Sequence, residues 1–468
     1  MDPTRRRLLR YTTTLAASGL LAGCLGSSGD GTTTATRTTA TGTTEPPTNR
    51  TRSTTSTPEP NALDALVAGN DAFALDLLDA LSANAQNENQ FLSPYSASLA
   101  LAMTEAGARG KTRTQMRETL HFSLPEETLH RTFGSLHRTI DSYGPDATPT
   151  ETTTETPTAP GSSSGSETPT LSKGIPFELT DANALWGQSG FPYSHAFLHT
   201  LETDYGAALH EVDFREHADR ARRKINRWVN DRTKRKIQHL LQEGSLDERT
   251  RLVLTNAIYF EANWSHHFPE DATHDATFTN LDGSASTVSM MRQKNLLSYA
   301  EVEGHQLVEL PYVGDAVGMV VVLPAAGAFE SFQQDLTADR LRSLFDAMEE
   351  THGTVSLPRF EVRSKLQLKD VLANLGMSIA FTGGADFSGM VDGATLPLQL
   401  DDVVQEAFVH VDEHGTEAAA ATAVEVKLSS ASTDPFEMTV NRPFLFLIRD
   451  ERTGTVLFLG RVVDGSTV

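Results

Sequence analysis

The chain is 468 residues long and 38% hydrophobic, with 61 acidic against 39 basic side chains and a formal net charge of −22. This charge argues against nucleic acid as a partner, because phosphate contacts require clustered positive charge. The single cysteine, Cys24, excludes intramolecular disulfides, so the folded part must be stabilised by its core.

Residues 1–23 have the features of a twin-arginine export signal that ends in a lipobox. An arginine-rich start, Thr4 to Arg10, precedes an apolar run, Thr12 to Leu21, that is too short to span a bilayer. Leu21-Ala22-Gly23-Cys24 follows, in which Cys24 would carry a lipid and become the mature N-terminus. We expect an exported protein, lipid-anchored at the cell surface or extracellular, that contacts membrane only through this anchor. The alternative is a buried cysteine in an ordinary helix.

Two tracts rich in Thr, Ser and Pro are predicted to be disordered, because they cannot bury enough apolar surface to fold. Residues 24–60 form a stalk, and residues 141–172 form an insertion within the globular part. Gly161 to Gly165 match a G-x-S-x-G nucleophile pattern, but that motif requires a strand before it and a helix after it. High acidity and only nine Lys among the basic residues are typical of salt-adapted proteins and suggest a halophilic archaeon.

From Asn61 onward the apolar spacing alternates between helical and strand-like segments, which indicates the α+β class. Ser93 and Pro94 are expected to begin a buried helix as N-cap and first helical residue. A second helix with a following turn is predicted at Ala221 to Leu241. Strands are predicted at Glu178 to Gln188, Arg251 to Ala262, Val317 to Leu323 and Leu398 to Val411, with a final hairpin at Phe444 to Val463.

The second of these helices carries the concentrated positive charge of an otherwise acidic chain. The cluster consists of Arg220, Arg222, Arg223, Lys224, Arg227, Arg232, Lys234, Arg235 and Lys236. It is either a site for a polyanion or acidic partner or the solvated face of a helix, and the second interpretation is favoured.

Two conflicting patterns meet in Glu413 to Ser430. Glu417 to Thr422 favour a helix by propensity, whereas every second residue from Thr416 to Val426 is small or β-branched and uncharged. That alternation describes a strand able to bury one face, with Gly415 in front of it as a place to bend. The alternative is an alanine-rich surface helix or linker.

The same stretch, with the segment that starts at Asn441, resembles the signature of the serpins. The matching residues are Glu413, Gly415, Thr416, Glu417, Ala418, Ala419, Ala420 and Ala421, followed by NRPFLFLIRDERTGTVLFLGRVV. The resemblance covers residues 61–468 apart from the insertion. It implies a serpin fold with a large five-stranded central sheet, two smaller sheets, eight to nine helices and an exposed reactive-centre loop.

The resemblance also implies an inhibitory mechanism. Family spacing from Glu413 places the reactive bond at Ser429–Ser430, with Leu428–Ser429 as the alternative. Insertion of the cleaved loop needs uncharged small residues at its buried positions, and Thr416, Ala418, Ala420 and Thr422 meet that requirement. The expected target is an elastase-, chymotrypsin- or subtilisin-like serine protease.

Six further residues match the positions that control opening of the sheet in the family: Asn89, Ser93, Ser96, Asn256, Gln405 and Trp264. Gln405 stands where the family usually has a histidine, so the hydrogen bonds can persist while the histidine-linked pH dependence is lost. We expect a monomer that is not an enzyme and has no cofactor or metal. Two alternatives remain: a non-inhibitory serpin that acts as a binding or chaperone-like surface protein, and a hydrolase, for which no motif is found.

Overall fold

The computed structural model describes residues 60–143, 178–393, 398–416 and 435–468. Several predicted features lie outside these residues: the signal segment with Cys24, the stalk up to residue 59, and nearly all of the 141–172 insertion. Hinge residues Glu417 to Ala421 and the two candidate reactive bonds within Leu428 to Ser430 also lie outside.

Nine α-helices and sixteen strands occur in the described residues. The helices are α1 Pro60–Asn84, α2 Pro94–Glu105, α3 Gly110–Thr119, α4 Glu126–Asp141, α5 His195–Tyr205, α6 Phe214–Arg232, α7 Phe329–Gln334, α8 Ala338–Asp346 and α9 Leu368–Leu372. The strands are β1 Gln90–Leu92, β2 Glu178–Asp181, β3 Ala184–Gln188, β4 Leu209–Val212, β5 Leu252–Asn263, β6 His274–Thr279, β7 Ala285–Val302, β8 His305–Pro311, β9 Val317–Leu323, β10 Glu349–Pro358, β11 Phe360–Gln367, β12 Asp402–Val411, β13 Gly415–Thr416, β14 Phe436–Thr439, β15 Phe444–Asp450 and β16 Val456–Val462. The α+β class is confirmed.

The central sheet has seven strands, in the order β11-β12-β13-β5-β3-β4 with β2 also paired to β5. It corresponds to the predicted five strands when β2 and β3 are taken as two pieces of one strand and the two-residue β13 is set apart. The segment predicted as one strand from Glu178 to Gln188 is broken into β2 and β3, and both pair with β5. β12 and β5 are parallel, from Asp402 opposite Val253 to Phe408 opposite Tyr259. The two-residue strand β13 lies between them at one end.

The two smaller sheets that we expected are hydrogen-bonded into a single sheet of nine strands. The 18-residue strand β7 is the reason. Its first residues pair with β6, its middle with β10, and its last residues with β8. One continuous strand therefore belongs to both predicted sheets.

The central sheet is covered by apolar side chains on both faces. Leu254 and Ile258 of β5 point into the main core, in which every residue of α2 is buried. Val253 and Ala257 point the other way, because successive side chains of a strand alternate between faces. Helix α6 packs on that second face and forms a separate cluster, whose buried members include Ala221, Ile225, Val229, Trp186 and Val404.

Local signals set the ends of α2 and α6. Ser93 caps α2 as predicted and accepts a hydrogen bond from the Ser96 amide, with Pro94 in the first turn. Asp213 caps a short first turn at Phe214 through the Glu216 amide, but His217 has non-helical angles (φ −141°, ψ 45°) that kink the chain, so the regular part of α6 begins after His217, close to the predicted Ala221. The helix ends at Arg232 and the predicted turn follows, where Lys234 and Arg235 adopt positive φ angles of 46° and 68°. No helix in the described residues is both long and apolar enough to cross a membrane.

Candidate functional site

The candidate site is the end of the central sheet where β12 turns into β13. Val411 pairs with Thr416 on one side of the new strand, and Ala262 of β5 pairs with Thr416 on the other. Direct pairing between β12 and β5 ends earlier, at Phe408 opposite Tyr259. The first residues of the predicted hinge therefore already lie between two strands that are neighbours further along.

Gly415 is needed at this position because the backbone of β5 approaches it closely. A Cβ atom on residue 415 would lie 2.1 Å from the Ala262 carbonyl oxygen and 2.7 Å from the Asn263 Cα. Both obstacles are backbone atoms and cannot swing aside. The sequence suggested a bend at Gly415, and the structure adds this close contact as a second requirement.

Thr416 is held by a buried hydroxyl pair. Its Oγ1 lies 2.6 Å from the phenolic oxygen of Tyr312, and neither residue is exposed. Tyr312 stacks on Trp264 with 4.4 Å between ring centroids. Burial raises the pKa of Tyr312, which keeps its hydroxyl protonated. Sequence analysis did not identify Tyr312, because a lone tyrosine after a strand looks like ordinary core.

Glu413 anchors the turn through a buried ion pair. Its side chain is 3% exposed and accepts hydrogen bonds from the Arg359 guanidinium, with 2.7 Å from Nε to Oε2, and from the Thr273 hydroxyl. Burial alone would raise the pKa of this carboxyl, but the bonds from Arg359 and Thr273 lower it below its ordinary value. The sequence placed Glu413 in the hinge without indicating either partner.

Four of the six predicted sheet-opening residues form one hydrogen-bonded cluster beneath the sheet. The Gln405 amide nitrogen donates to the Ser93 carbonyl at 2.9 Å and to Asn256 Oδ1 at 2.7 Å, while Gln405 Oε1 accepts from the Ser93 amide at 3.1 Å. Asn256 Nδ2 lies 2.7 Å from Ser96 Oγ. Gln405 and Asn256 are register partners on β12 and β5, so this cluster bridges the two parallel strands.

Asn183 is a further member that sequence analysis missed. Its Oδ1 accepts from Asn256 at 2.6 Å and from Ser96 at 2.9 Å. It lies in the break between β2 and β3, a break that the strand-like pattern of residues 178–188 does not reveal. Together these side chains satisfy the buried polar groups at the start of α2.

Two predicted members do not belong to this cluster. Asn89 binds the C-terminal segment instead: its Oδ1 accepts from the amides of Val463 and Asp464 at 2.7 and 2.9 Å. Trp264 belongs to the hinge, where its backbone and ring nitrogens donate to the carbonyls of His414 and Asp412 at 2.8 and 2.9 Å. Trp264 follows Asn256 by eight residues, just past the end of β5, which is roughly 26 Å at the rise of a strand.

Most of the basic cluster is occupied within the protein. Asp219 pairs with both Arg222 and Arg223, and Lys234 pairs with Glu178. Lys224 donates to the Glu211 carbonyl, and Arg232 and Lys236 lie over the rings of Trp228 and Tyr259. These contacts favour the interpretation as a solvated helix face. Within the ranges that the structure describes, no three His, Cys, Asp or Glu side chains are placed to hold a metal ion.

The Gln405 cluster generates a stability prediction. Gln405→Ala leaves the buried Ser93 backbone and Asn256 Oδ1 with fewer partners, so we expect the free energy of unfolding to fall by about 2–4 kcal/mol. Urea unfolding measures the loss. Gln238→Ala, at an exposed site, is the matched control and should change stability by less than about 0.5 kcal/mol. Equal effects of the two substitutions would contradict a structural role for the cluster.

The ion pair of the turn generates a pH-dependent prediction. Arg359→Met keeps the aliphatic stem but leaves Glu413 buried without its cation, and we expect a loss of about 1–3 kcal/mol near pH 7, discounted because Arg359 is itself 46% exposed. Since the partner lowers the pKa of Glu413, its contribution is present above the ordinary value of 4.5 and is lost as the pH falls below it. The stability difference from wild type should therefore shrink in acid, as followed by urea unfolding.

Arg292→Met, at an exposed position, controls for loss of a surface charge in that experiment. A deficit of Arg359→Met that persists unchanged at about pH 3.5 would show that the loss does not come from Glu413.

Comparisons with known proteins agree with this geometry. The family model described as Serpin (serine protease inhibitor) matches residues 68–465. An uncharacterized serpin-like protein of Thermococcus kodakarensis is 36% identical over 395 residues, 84% of each chain. The human leukocyte elastase inhibitor is 36% identical over 409 residues, covering 85% of this chain and 99% of its own.

Among solved structures, human thyroxine-binding globulin complexed with its ligand superposes with a TM-score of 0.72 and 26% identity, over 86% of this chain and all of the other. The family model spans most of the chain, and the relatives are covered over most of their own length. The chain belongs to the serpin family.

Proposed function

We propose that this protein is a suicide-substrate inhibitor of extracellular serine proteases and has no catalytic activity of its own. The observation that carries the proposal is the hinge. Gly415 and Thr416 are already paired as the first residues of an extra strand between β12 and β5. The loop therefore has a preformed starting point from which a strand could grow.

Growth of this strand is favourable for two reasons. First, β13 is antiparallel to both of its neighbours, so insertion would replace one parallel pairing by two antiparallel ones, which are slightly more stable per residue. Second, Thr416 faces the main core beside Tyr312. Strand alternation would then bring Ala418, Ala420 and Thr422 to the same face, where none adds a charge.

The chemistry belongs to the protease. Its serine attacks the carbonyl carbon of Ser429, the amine of Ser430 leaves, and an acyl-enzyme remains on Ser429. The freed loop then inserts from Thr416 onward and carries the acylated protease with it, and the resulting distortion of its active site prevents hydrolysis of the ester. The uncleaved form is the metastable starting state of this change.

The cluster around Gln405 has a defined part in this mechanism. Insertion must separate Gln405 from Asn256, because they are register partners on the strands that part. Their hydrogen bond resists early opening of the sheet. Ser or Leu before the reactive bond suits a protease with a small or apolar primary pocket of the elastase, chymotrypsin or subtilisin type, and similarity to leukocyte elastase inhibitor supports that choice.

Thr416→Arg is the decisive test. Arginine at this fully buried position should block strand growth through the cost of burying a charge. The wild-type chain from Asn61 to Val468, mixed with a subtilisin-type or chymotrypsin-type protease, should give an adduct of summed mass on denaturing gels and a released peptide that begins at Ser430. Thr416→Arg should be cleaved without forming the adduct.

Glu417→Arg is the matched control, because the same side chain would lie on the opposite face of the inserted strand. Continuing the register of β13 by one residue places it between Glu261 and His410, which are polar and only half-buried, so the adduct should stay intact. Undiminished adduct formation by Thr416→Arg would overturn the insertion mechanism. Cleavage of the wild type without adduct or gain in thermal stability would instead support a non-inhibitory binding protein, for which a globulin complexed with thyroxine is a similar structure.

We also propose that the protein is exported and held at the cell surface by a lipid on Cys24. Cys24→Ser should move it from the membrane fraction to the medium, measured by immunoblotting of fractionated cells, because lipid attachment requires the thiol. Unchanged membrane association of Cys24→Ser would contradict the anchor.

A further inference from the structure

Three histidines surround the turn that leads into the hinge. His267 lies just after β5, His410 near the end of β12, and His414 within the turn itself. The rings of His267 and His414 face each other edge to face, with 5.6 Å between centroids. Both side chains are partly buried, so a charge on either is incompletely screened by solvent.

The backbone of the turn is docked on the residues that flank His267. Trp264 N donates to the His414 carbonyl at 2.8 Å, and Phe268 N donates to the Glu413 carbonyl at 2.9 Å. The indole nitrogen of Trp264 adds a third bond, to the Asp412 carbonyl at 2.9 Å. Release of the turn would expose His267 to water and break all three bonds.

The charges around the two rings differ. His414 lies between two carboxylates, with Nε2 3.5 Å from Glu270 Oε1 and Nδ1 3.8 Å from Asp412 Oδ1. His267 has less support: burial lowers its pKa, and His414 and His266 lower it further against the attraction of Asp412. The Glu270 and Asp412 carboxylates thus lie beside His414, whereas positive charge on His414 opposes a proton on His267.

Neighbouring groups do not cancel this asymmetry. Glu413 and Arg359 neutralise each other. His410 lies between Glu361 and Asp412, at 3.5 and 3.8 Å, and competes with His414 for the second carboxylate. The Asp315 carboxylate accepts a hydrogen bond from the Ser265 hydroxyl, at 3.5 Å.

We propose that His267 and His414 form an acid-sensitive latch that holds the hinge turn on β5 at neutral pH and releases it under mildly acidic conditions. The docked turn binds the neutral form of His267, whereas the released turn lets that ring take a proton in water. Docking is thus fully stable above the ordinary histidine pKa of about 6.5 and weakens as the pH falls below it. Released Gly415 and Thr416 no longer offer a preformed start for strand growth.

Hydrogen exchange of the intact, uncleaved protein tests the latch directly. Mass spectrometry of a peptide covering residues 264–268 reports the Trp264 and Phe268 amides. After correction for intrinsic rates, we expect exchange about threefold or more faster at about pH 5 than at about pH 7.5. His267→Gln, which stays neutral, should abolish this acceleration, and His414→Gln should reduce it.

His195→Gln is the matched control, since His195 is exposed at the start of α5 and is not among the groups that shift the pKa of His267; it should keep the wild-type pH response. Equal acceleration in wild type and His267→Gln would overturn the latch, as would unchanged exchange of the wild type between the two pH values. If His267→Gln is poorly stable at about pH 7.5, the His414→Gln variant tests the latch instead, and acceleration equal to that of the wild type would overturn it.

The consequence for inhibition rests on the proposed function. In acid, wild type should form less covalent adduct per cleaved loop, while His267→Gln should keep its neutral-pH ratio. Because exchange is measured without a protease, an acid-released turn in a chain that forms no adduct would confirm the latch and reject only the inhibitory function.

Discussion

The structure depends on one seam, the parallel pairing of β12 with β5. These strands pair directly over seven residues and then diverge to admit Gly415 and Thr416. Parallel pairing is slightly less stable per residue than antiparallel pairing, and this pair is already separated at one end, so it is where the sheet opens most easily. The hinge lies at the open end of this strand pair, and the buried polar cluster joins its two strands by hydrogen bonds.

The two polar assemblies act on different parts of the seam. Gln405 and Asn256 join its strands across the middle, above α2, and the side chains of Ser93, Ser96 and Asn183 complete their hydrogen bonds. Glu413, Tyr312 and Trp264 fix the open end. The first assembly opposes separation of the strands, while the second holds Gly415 and Thr416 between them as the short strand β13. Because Asn256 lies within β5 and Trp264 lies just past its end, eight residues further along the chain, a substitution can weaken one assembly and leave the other intact.

Helices and strands that are set by neighbouring residues in the chain were predictable from the sequence. The β-branched run from Val317 to Leu323 forms a strand with those bounds, and Ser93 with Pro94 starts α2 as expected. The small-residue hinge was predicted from its pattern; of its residues, Gly415 and Thr416 form β13, and Glu417 to Ala421 lie outside the described residues. Packing partners that come from distant segments were not predictable: Tyr312 for Thr416, Arg359 for Glu413, and Asn183 for Asn256. Their identities depend on how strands meet in space, and a single Tyr, Arg or Asn in a sequence carries no mark of its partner.

Asn89 and Trp264 show the limit of spacing as a guide to function. Asn89 is half-buried, Trp264 is buried, and both can form hydrogen bonds. Asn89 binds the C-terminal segment, however, and Trp264 binds the turn that leads into the hinge. The merged nine-stranded sheet has a similar origin. Whether a long strand such as β7 belongs to one sheet or two is decided by its neighbours along its whole length.

The apolar contacts of helix α6 affect how long the two strands stay paired. Its apolar cluster contains Val253 and Ala257 from one side of the seam and Val404 from the other, so the helix covers both edges with hydrophobic contacts. Parting of the strands would expose some of that apolar surface to water before the new strand fills the gap. Apolar contacts weaken on cooling and strengthen with excluded salts. If the loop inserts as proposed, the time for which the intact protein can be stored before spontaneous insertion is therefore a property of the solution as well as of the chain.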